Sequence, residues 1–158
     1  MLLSRSLLTL LIGSLLGAQT PSPVPVELTA AEKQFQATLE NVTLAGFYSL
    51  GGNSQLKEDR YVIERVSKLG DDLWKFEARI QYNKQDMKVA MSFPVKFAGD
   101  TPVISLTNFT VPGFGAFTAR VLIYDGAYAG TWASAKPGSQ HGGTMFGKVL
   151  KNLTPTKQ

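Results

Sequence analysis

Apolar and polar residues alternate along most of the segment from Leu73 to Phe97, which reads LWKFEARIQYNKQDMKVAMSFPVKF. Alternation with a period of two is typical of a β-strand that has one buried and one solvated face. The polar stretch at residues 83–86 interrupts the alternation and predicts a turn between two strands, at 73–82 and 87–97. Pairing Asn83 with Asp86 puts the apolar residues of both strands on one face, so the segment is predicted to be a one-sided hairpin.

Similar patterns predict six further strands on either side of this hairpin. Asp125-Gly126 is a strong signal for a two-residue hairpin turn. A change of parity between Leu106 and Phe109 predicts a β-bulge near Thr107-Asn108. Since no helical pattern separates consecutive strands, the order indicates an antiparallel meander. The six strands are predicted at residues 45–50, 60–68, 103–111, 117–124, 127–133 and 143–151.

One short helix is predicted before the strands. Thr29 and Glu32 fit the two positions of a capping box, and apolar residues such as Phe35 and Leu39 follow at helical spacing over about residues 30–41. Closing a long meander into a barrel hides its two exposed edges. The sequence therefore predicts an all-β fold, an eight-stranded antiparallel up-and-down barrel with one N-terminal helix. A β-sandwich of the same strands is the alternative.

The N-terminal residues have the pattern of an export signal. Arg5 precedes an apolar run at residues 7–16, and small residues near Ala18 suit cleavage by a signal peptidase. We expect export to the periplasm or the cell exterior, with no membrane span after cleavage. The predicted organisation is a signal peptide at 1–18, a Pro-rich spacer at 19–27, a single barrel domain at 28–151 and a flexible tail at 152–158.

Composition narrows the classes of function. The chain has 158 residues, a formal net charge of +4 and no cysteine. The absence of cysteine excludes disulfides and a lipid anchor on an N-terminal cysteine. Basic residues are dispersed along the chain, which argues against nucleic-acid binding because such binding needs a concentrated basic patch. The sequence leaves the oligomeric state open.

Motifs for catalysis or metal binding are not evident. His141 is the only histidine, and structural or catalytic zinc sites use several His or Cys ligands. No Gly-x-Ser-x-Gly nucleophile elbow occurs, and the glycine-rich stretch at 142–147 lacks the lysine and serine of a phosphate-binding loop. We therefore predict a protein that is not an enzyme and has no cofactor and no metal site.

Arg65 draws attention because of its predicted position. In the register that pairs Leu69 with Asp72, Arg65 falls on the apolar face opposite Phe76. A buried arginine is costly unless it is paired, so Arg65 either contacts a ligand, reaches water from a strand end, or indicates that the register is incorrect. Aromatic and methionine side chains line the same predicted interior. The candidate ligand-binding residues are Arg65, Trp74, Phe76, Met91, Phe93 and Trp132.

The predicted helix and eight-stranded meander resemble the calycin group of lipocalins, fatty-acid-binding proteins and avidins. The aromatic-Ala-Gly-Thr-Trp stretch at Tyr128–Trp132, with His141–Gly143 after it, is similar to a pattern in small secreted bacterial β-barrel proteins. The resemblance to this lipocalin-like architecture covers about residues 28–151.

An eight-stranded barrel is just wide enough to hold one small ligand. We therefore expect a secreted or periplasmic, non-catalytic barrel that binds a small apolar or amphipathic ligand. One alternative is a structural or interaction module of the cell envelope with a filled core and no ligand. The other is a small outer-membrane barrel, in which the polar faces of the strands would line the interior.

Overall fold

The computed structural model describes residues 26–51, 55–82 and 85–153. The predicted signal peptide, most of the predicted spacer and most of the predicted tail lie outside these residues. The predicted helix and the eight predicted strands are all present. These elements are α1 (Ala30–Leu39), β1 (Val42–Ser49), β2 (Leu56–Gly70), β3 (Leu73–Tyr82), β4 (Gln85–Ala98), β5 (Thr101–Val111), β6 (Gly115–Tyr124), β7 (Ala127–Ser134) and β8 (Gly142–Lys151).

The strands form one closed antiparallel barrel. Each strand pairs with the next in sequence, and β1 also pairs with β8, from Val42 with Lys151 to Tyr48 with Met145. This closing pair leaves neither β1 nor β8 as an exposed edge strand. The predicted up-and-down barrel is confirmed, and the sandwich alternative is wrong.

The registers of two hairpins test the sequence patterns. The β6–β7 hairpin pairs Ile123 with Tyr128, as the Asp125-Gly126 turn predicts. The β3–β4 hairpin pairs Tyr82 with Gln85, so the predicted pairing of Asn83 with Asp86 is wrong. The shift amounts to two residues, which preserves the parity of the pattern and keeps the apolar residues of both strands on one face.

β2 contains a bulge that the sequence pattern did not reveal. Ile63 pairs with Ala78 as predicted, but Arg65 pairs with Glu77 because Glu64 is an extra residue in β2. Beyond this point Val66, rather than Arg65, points into the barrel and is fully buried. The prediction that Arg65 lies on the apolar face was therefore wrong, since a bulge of one residue turns the following side chains to the opposite face.

The apolar side chains of the strands fill the barrel, whereas charged side chains cover its outside. On the outer face of β3 and β4, Lys75 pairs with Glu77 at 2.5 Å and Arg79 with Asp86 at 2.5 Å. This polarity is the reverse of what the outer-membrane alternative requires of these two strands. The largest fully buried side chains are those of Trp74, Tyr128, Phe35, Leu39, Val42, Val66 and Val95.

Within the described ranges, no helix is both long enough and apolar enough to cross a membrane.

Candidate functional site

The helix closes one end of the barrel, which we call the helix end. This is the end at which β1 and β3 begin and β2 and β4 finish. Phe35 of α1 is almost completely buried there, and its ring contacts the rings of Trp74 at 5.0 Å and Phe97 at 5.9 Å in edge-to-face geometry. Burial of such an aromatic cluster stabilises the packing of α1 against the barrel. The helix end is therefore packed with side chains.

Polar contacts fix both termini of α1 to the barrel. At the start of the helix, the Glu32 carboxylate accepts a hydrogen bond from the backbone amide of Thr29 and pairs with the Lys68 ammonium at 2.6 Å. At its finish, the Lys151 ammonium donates to the backbone carbonyls of Ala37 at 2.7 Å and Glu40 at 3.1 Å. These carbonyls have no partner within the helix, so Lys151 satisfies groups that would otherwise need water.

This environment shifts the pKa of the Glu32 carboxyl group. Burial raises its pKa, but the hydrogen bonds from Lys68 and Thr29 lower the pKa by more, so that the net shift is downward. The ionised form is therefore the one that the folded protein favours.

The opposite end of the barrel, which we call the open end, has no helix packed on it in the part of the chain that the structure describes. Most of its inward-facing apolar side chains are only half-buried. Trp132 lies at the centre of an aromatic group, with ring centroids 5.9 Å from Tyr48 and 6.1 Å from Phe117. The half-buried apolar side chains at this end include Met87, Val89, Phe109, Phe117, Trp132 and Met145.

A buried polar pair lies inside the barrel. The Tyr128 hydroxyl donates a hydrogen bond of 2.6 Å to Oδ1 of Asp59, and both residues are at least 95% buried, with exposures of 1% and 5%. The second carboxylate oxygen of Asp59, Oδ2, has no hydrogen-bond partner among the described residues. Buried polar groups in native proteins nearly always have a partner, so this oxygen is an exception.

Two glycines allow Tyr128 to reach Asp59. The pairings of β2, β1, β8 and β7 place Asp59, Gly46, Gly147 and Tyr128 in one row across the barrel wall. A Cβ atom on Gly46 would lie 2.6 Å from the Tyr128 hydroxyl, and one on Gly147 would lie 2.6 Å from its ring. The tyrosine side chain therefore lies across a strip of the barrel wall that carries no side chains. A side chain at either glycine would block its path.

Burial has the largest effect on the pKa values of this pair. It raises the pKa of Asp59, while the hydrogen bond from Tyr128 and the nearby Tyr61 hydroxyl lower the pKa by less. Burial and the neighbouring Asp59 carboxylate also raise the pKa of Tyr128. The tyrosine hydroxyl is therefore protonated near neutral pH and serves as a hydrogen-bond donor rather than as a base.

The structure does not bring all six predicted ligand-binding residues together. Arg65 lies on the outer surface, beside Glu77. Trp74 lies in the helix-end core, and Phe76 and Phe93 stack on each other at 4.3 Å. Met91 and Trp132 are half-buried against the core, Trp132 at the open end.

Sequence reasoning missed Asp59 and Tyr128 as site residues. The signal for Asp59 was the alternation of β2, because Asp59, Tyr61 and Ile63 occupy positions of the same parity. The predicted strand began at residue 60, whereas β2 begins at Leu56, so this position was left out of the pattern. The contact with Tyr128 also spans 69 positions of the chain and had no local signal.

Two other features bear on possible sites. In the described part of the chain, no group of three or more His, Asp or Glu side chains is arranged to hold a metal ion. A pocket of about 450 Å³ lies against the wall formed by β1, β2 and β3, and most of the residues that border it occupy outward positions. The residues that line it are Ala45, Gly46, Phe47, Glu58, Asp59, Arg60 and Gln81.

Comparison with known proteins gave no match: no family model, no curated protein and no solved structure is significantly similar to this chain.

Proposed function

We propose that this protein is an exported, non-catalytic β-barrel that binds one small amphipathic molecule through the open end. The observation that carries the proposal is the contrast between the two ends. Phe35 and Leu39 of the helix fill the helix end, whereas apolar side chains at the open end, such as Trp132 and Met145, are only half-buried. Apolar surface that a barrel leaves partly exposed at its mouth is typical of a ligand-binding site.

Export is part of the proposal and rests on the sequence. The charged, apolar and small-residue segments of residues 1–18 have the order of a signal peptide. We also propose, from the sequence, a relationship to the calycins and to small secreted bacterial barrels. The closed eight-stranded barrel with an N-terminal helix is compatible with it. The intact mass of the mature protein would show whether residues 1–18 are removed.

The absence of catalysis is supported by the chemistry of the buried pair. Asp59 and Tyr128 form a buried, hydrogen-bonded pair inside the barrel, and the raised pKa of the tyrosine keeps its hydroxyl protonated. The raised pKa of the hydroxyl opposes its conversion to the phenolate that covalent catalysis through a tyrosine would use.

A barrel with a filled core and no ligand is the second candidate. It is favoured by the packing of the helix-end half, where Phe76 and Phe93 stack at 4.3 Å and Trp74 is fully buried. In that case the protein would act through its outer surface, where the 450 Å³ pocket lies beside Phe47 and Arg60.

Titration with Nile red, an uncharged apolar dye, separates the two candidates. The proposed function predicts that Trp132→Ala weakens dye binding roughly tenfold, because an aromatic wall of the open end is lost. The matched control is Leu122→Ala, which removes an exposed apolar side chain from the outer wall and should leave the affinity unchanged. Binding that is insensitive to Trp132→Ala, together with native mass spectra free of any co-purifying molecule, would favour the filled-core candidate.

A further inference from the structure

We propose that the polar end of the ligand is an uncharged hydrogen-bond donor, a hydroxyl or an amide N–H, which Oδ2 of Asp59 accepts inside the open end. This inference rests on the proposed function and names the class of ligand for the same site. Its starting point is an acceptor that is buried within the barrel and has no partner among the described residues.

The carboxylate of Asp59 is held in place and incompletely satisfied. Tyr128 donates to Oδ1 at 2.6 Å, and its ring lies across Gly46 and Gly147. The orientation of the carboxyl group is therefore fixed by a neighbour that is itself 1% exposed. An oriented acceptor with one oxygen already used presents the other oxygen to an incoming donor, which is the arrangement that gives a polar contact its specificity.

Asp59 is within reach of the open end. It is the fourth residue of β2, which begins at Leu56 at that end. At about 3.3 Å per residue, Asp59 lies roughly 10 Å along the strand from the barrel mouth. The row of inward positions between it and the mouth comprises Lys57, Tyr48, Met145 and Gly130, of which Gly130 has no side chain.

Charge excludes an anionic head group. A ligand carboxylate at this depth would face the Asp59 carboxylate, and no buried cation accompanies it in the described part of the barrel. Lys68 is occupied by Glu32 at the helix end, and Arg65 lies outside the barrel. The inward cation nearest to Asp59 is Lys57, which is exposed at the mouth, so an anion at the depth of Asp59 would be desolvated beside a like charge.

Desolvation disfavours an ammonium group, because a full charge must leave water to reach this depth. Lys57 occupies the inward position nearest the mouth on the same strand and is exposed there, so an entering cation passes a like charge. A hydroxyl or amide N–H donates to Oδ2 without that repulsion and without the cost of desolvating a full charge. The favoured ligand is therefore a neutral amphiphile, such as a long-chain alcohol.

The test compares two probes that share an apolar chain but differ in the donor. 1-Decanol carries a hydroxyl, whereas decyl methyl ether retains the oxygen without its proton. Displacement of Nile red from the full chain measures both affinities. The wild type is expected to bind decanol about tenfold more tightly than the ether, the effect of one hydrogen bond to a buried charged acceptor.

Variants assign the preference to Asp59. Asp59→Asn keeps the shape of the side chain but places an amide donor on one arm, so the preference for decanol should disappear. The matched control is Glu58→Gln, the same chemical change on the next residue, which faces outward and should keep the preference. If Asp59→Asn does not fold, Tyr128→Phe is the second variant: it frees Oδ1 as well and should retain or strengthen the preference for decanol.

The outcomes separate this inference from the proposed function. Equal binding of decanol and the ether by the wild type would mean that water satisfies Oδ2, which overturns the inference and leaves the proposed function standing. Retention of the preference in Asp59→Asn, or its loss in Tyr128→Phe, would also overturn the inference. Failure of both probes and of the dye to bind would overturn the proposed function itself.

Discussion

The two ends of this barrel differ in how completely side chains cover the interior. Both present the interior of a closed sheet to water. At the helix end, Phe35 and Leu39 cover the interior, and the charged groups of Glu32 and Lys151 have partners. At the open end the aromatic side chains are half-exposed, and a buried carboxylate oxygen of Asp59 has no partner in the described chain. The comparison teaches that packed, fully covered side chains are concentrated at one end, and partly exposed apolar surface at the other, where we propose that a ligand binds.

The largest predicted effect concerns the helix end. Phe35→Ala removes an aromatic ring that contacts Trp74 and Phe97, and it should lower the free energy of unfolding by about 3–5 kcal/mol because a cavity is left in the core. Denaturant unfolding followed by circular dichroism measures the change. Phe146→Ala, on the exposed outer face of β8, is the matched control and should change stability by less than about 1 kcal/mol. Similar effects of the two variants would contradict a packed helix end.

The second effect concerns the wall beneath Tyr128. Gly147→Ala introduces a methyl group that lies 2.6 Å from the Tyr128 ring and clashes with the Ala45 carbonyl oxygen. We expect a loss of about 1–3 kcal/mol in the free energy of unfolding because the ring and the strand must both shift. Gly70→Ala, at a position with open space around it, is the control and should be nearly neutral. A fully tolerated Gly147→Ala would show that Tyr128 does not need this strip of wall.

A smaller effect is expected where Lys151 caps the helix. Lys151→Met keeps the aliphatic stem but removes the donor to the Ala37 and Glu40 carbonyls, and it should cost about 1 kcal/mol. Lys148→Met, on the same strand and exposed, should stay within about 0.5 kcal/mol of the wild type. Thermal unfolding of the two variants side by side measures the difference. Equal midpoints would mean that water serves these carbonyls as well as Lys151 does.

The dependence of stability on pH is the most subtle contrast between the ends. The lowered pKa of Glu32 means that the unfolded state binds more protons, so this residue contributes stability above its ordinary pKa of 4.5 that is lost as the pH falls through the lowered value. Asp59 has a raised pKa, so the folded state binds more protons. The contribution of Asp59 to the free energy of unfolding therefore falls as the pH rises from the ordinary pKa of 3.8 through the raised pKa.

Glu32→Gln and Asp59→Asn should accordingly change the pH dependence of stability in opposite directions. Relative to the wild type, Glu32→Gln should be more destabilised at pH 7 than at pH 3, and Asp59→Asn should be more favourable at pH 7 than at pH 3. Urea unfolding of the three proteins at both pH values measures the two differences. If the signs agree with each other, one of the two carboxyl groups does not have the environment described above.

Local signals accounted for much of the fold. The Asp125-Gly126 turn predicted the register of β6 with β7, and Thr29 with Glu32 predicted the capping box that starts the helix, because each depends on residues a few positions apart. The bulge at Glu64 had no such signal. Its effect on parity decided the orientation of Arg65, so one unpredicted residue removed that side chain from the candidate site.

The buried pair depends on closure of the whole barrel. Asp59 and Tyr128 meet only because β1 pairs with β8, which places two glycines between them in one row. A sequence pattern indicates which side of a strand a residue faces, but not which distant residue it meets across three strands. The polar pair of the candidate site therefore became visible only in the closed structure.

The two tryptophans of this chain report on the two ends, since Trp74 lies in the helix-end core and Trp132 at the open end. The most direct measurement is the quenching of each by 10-bromo-1-decanol, in proteins that keep one tryptophan through Trp74→Phe or Trp132→Phe. Entry through the open end predicts saturable quenching of Trp132 and little quenching of Trp74. Equal quenching of both tryptophans, or of neither, would contradict the assignment of binding to the open end.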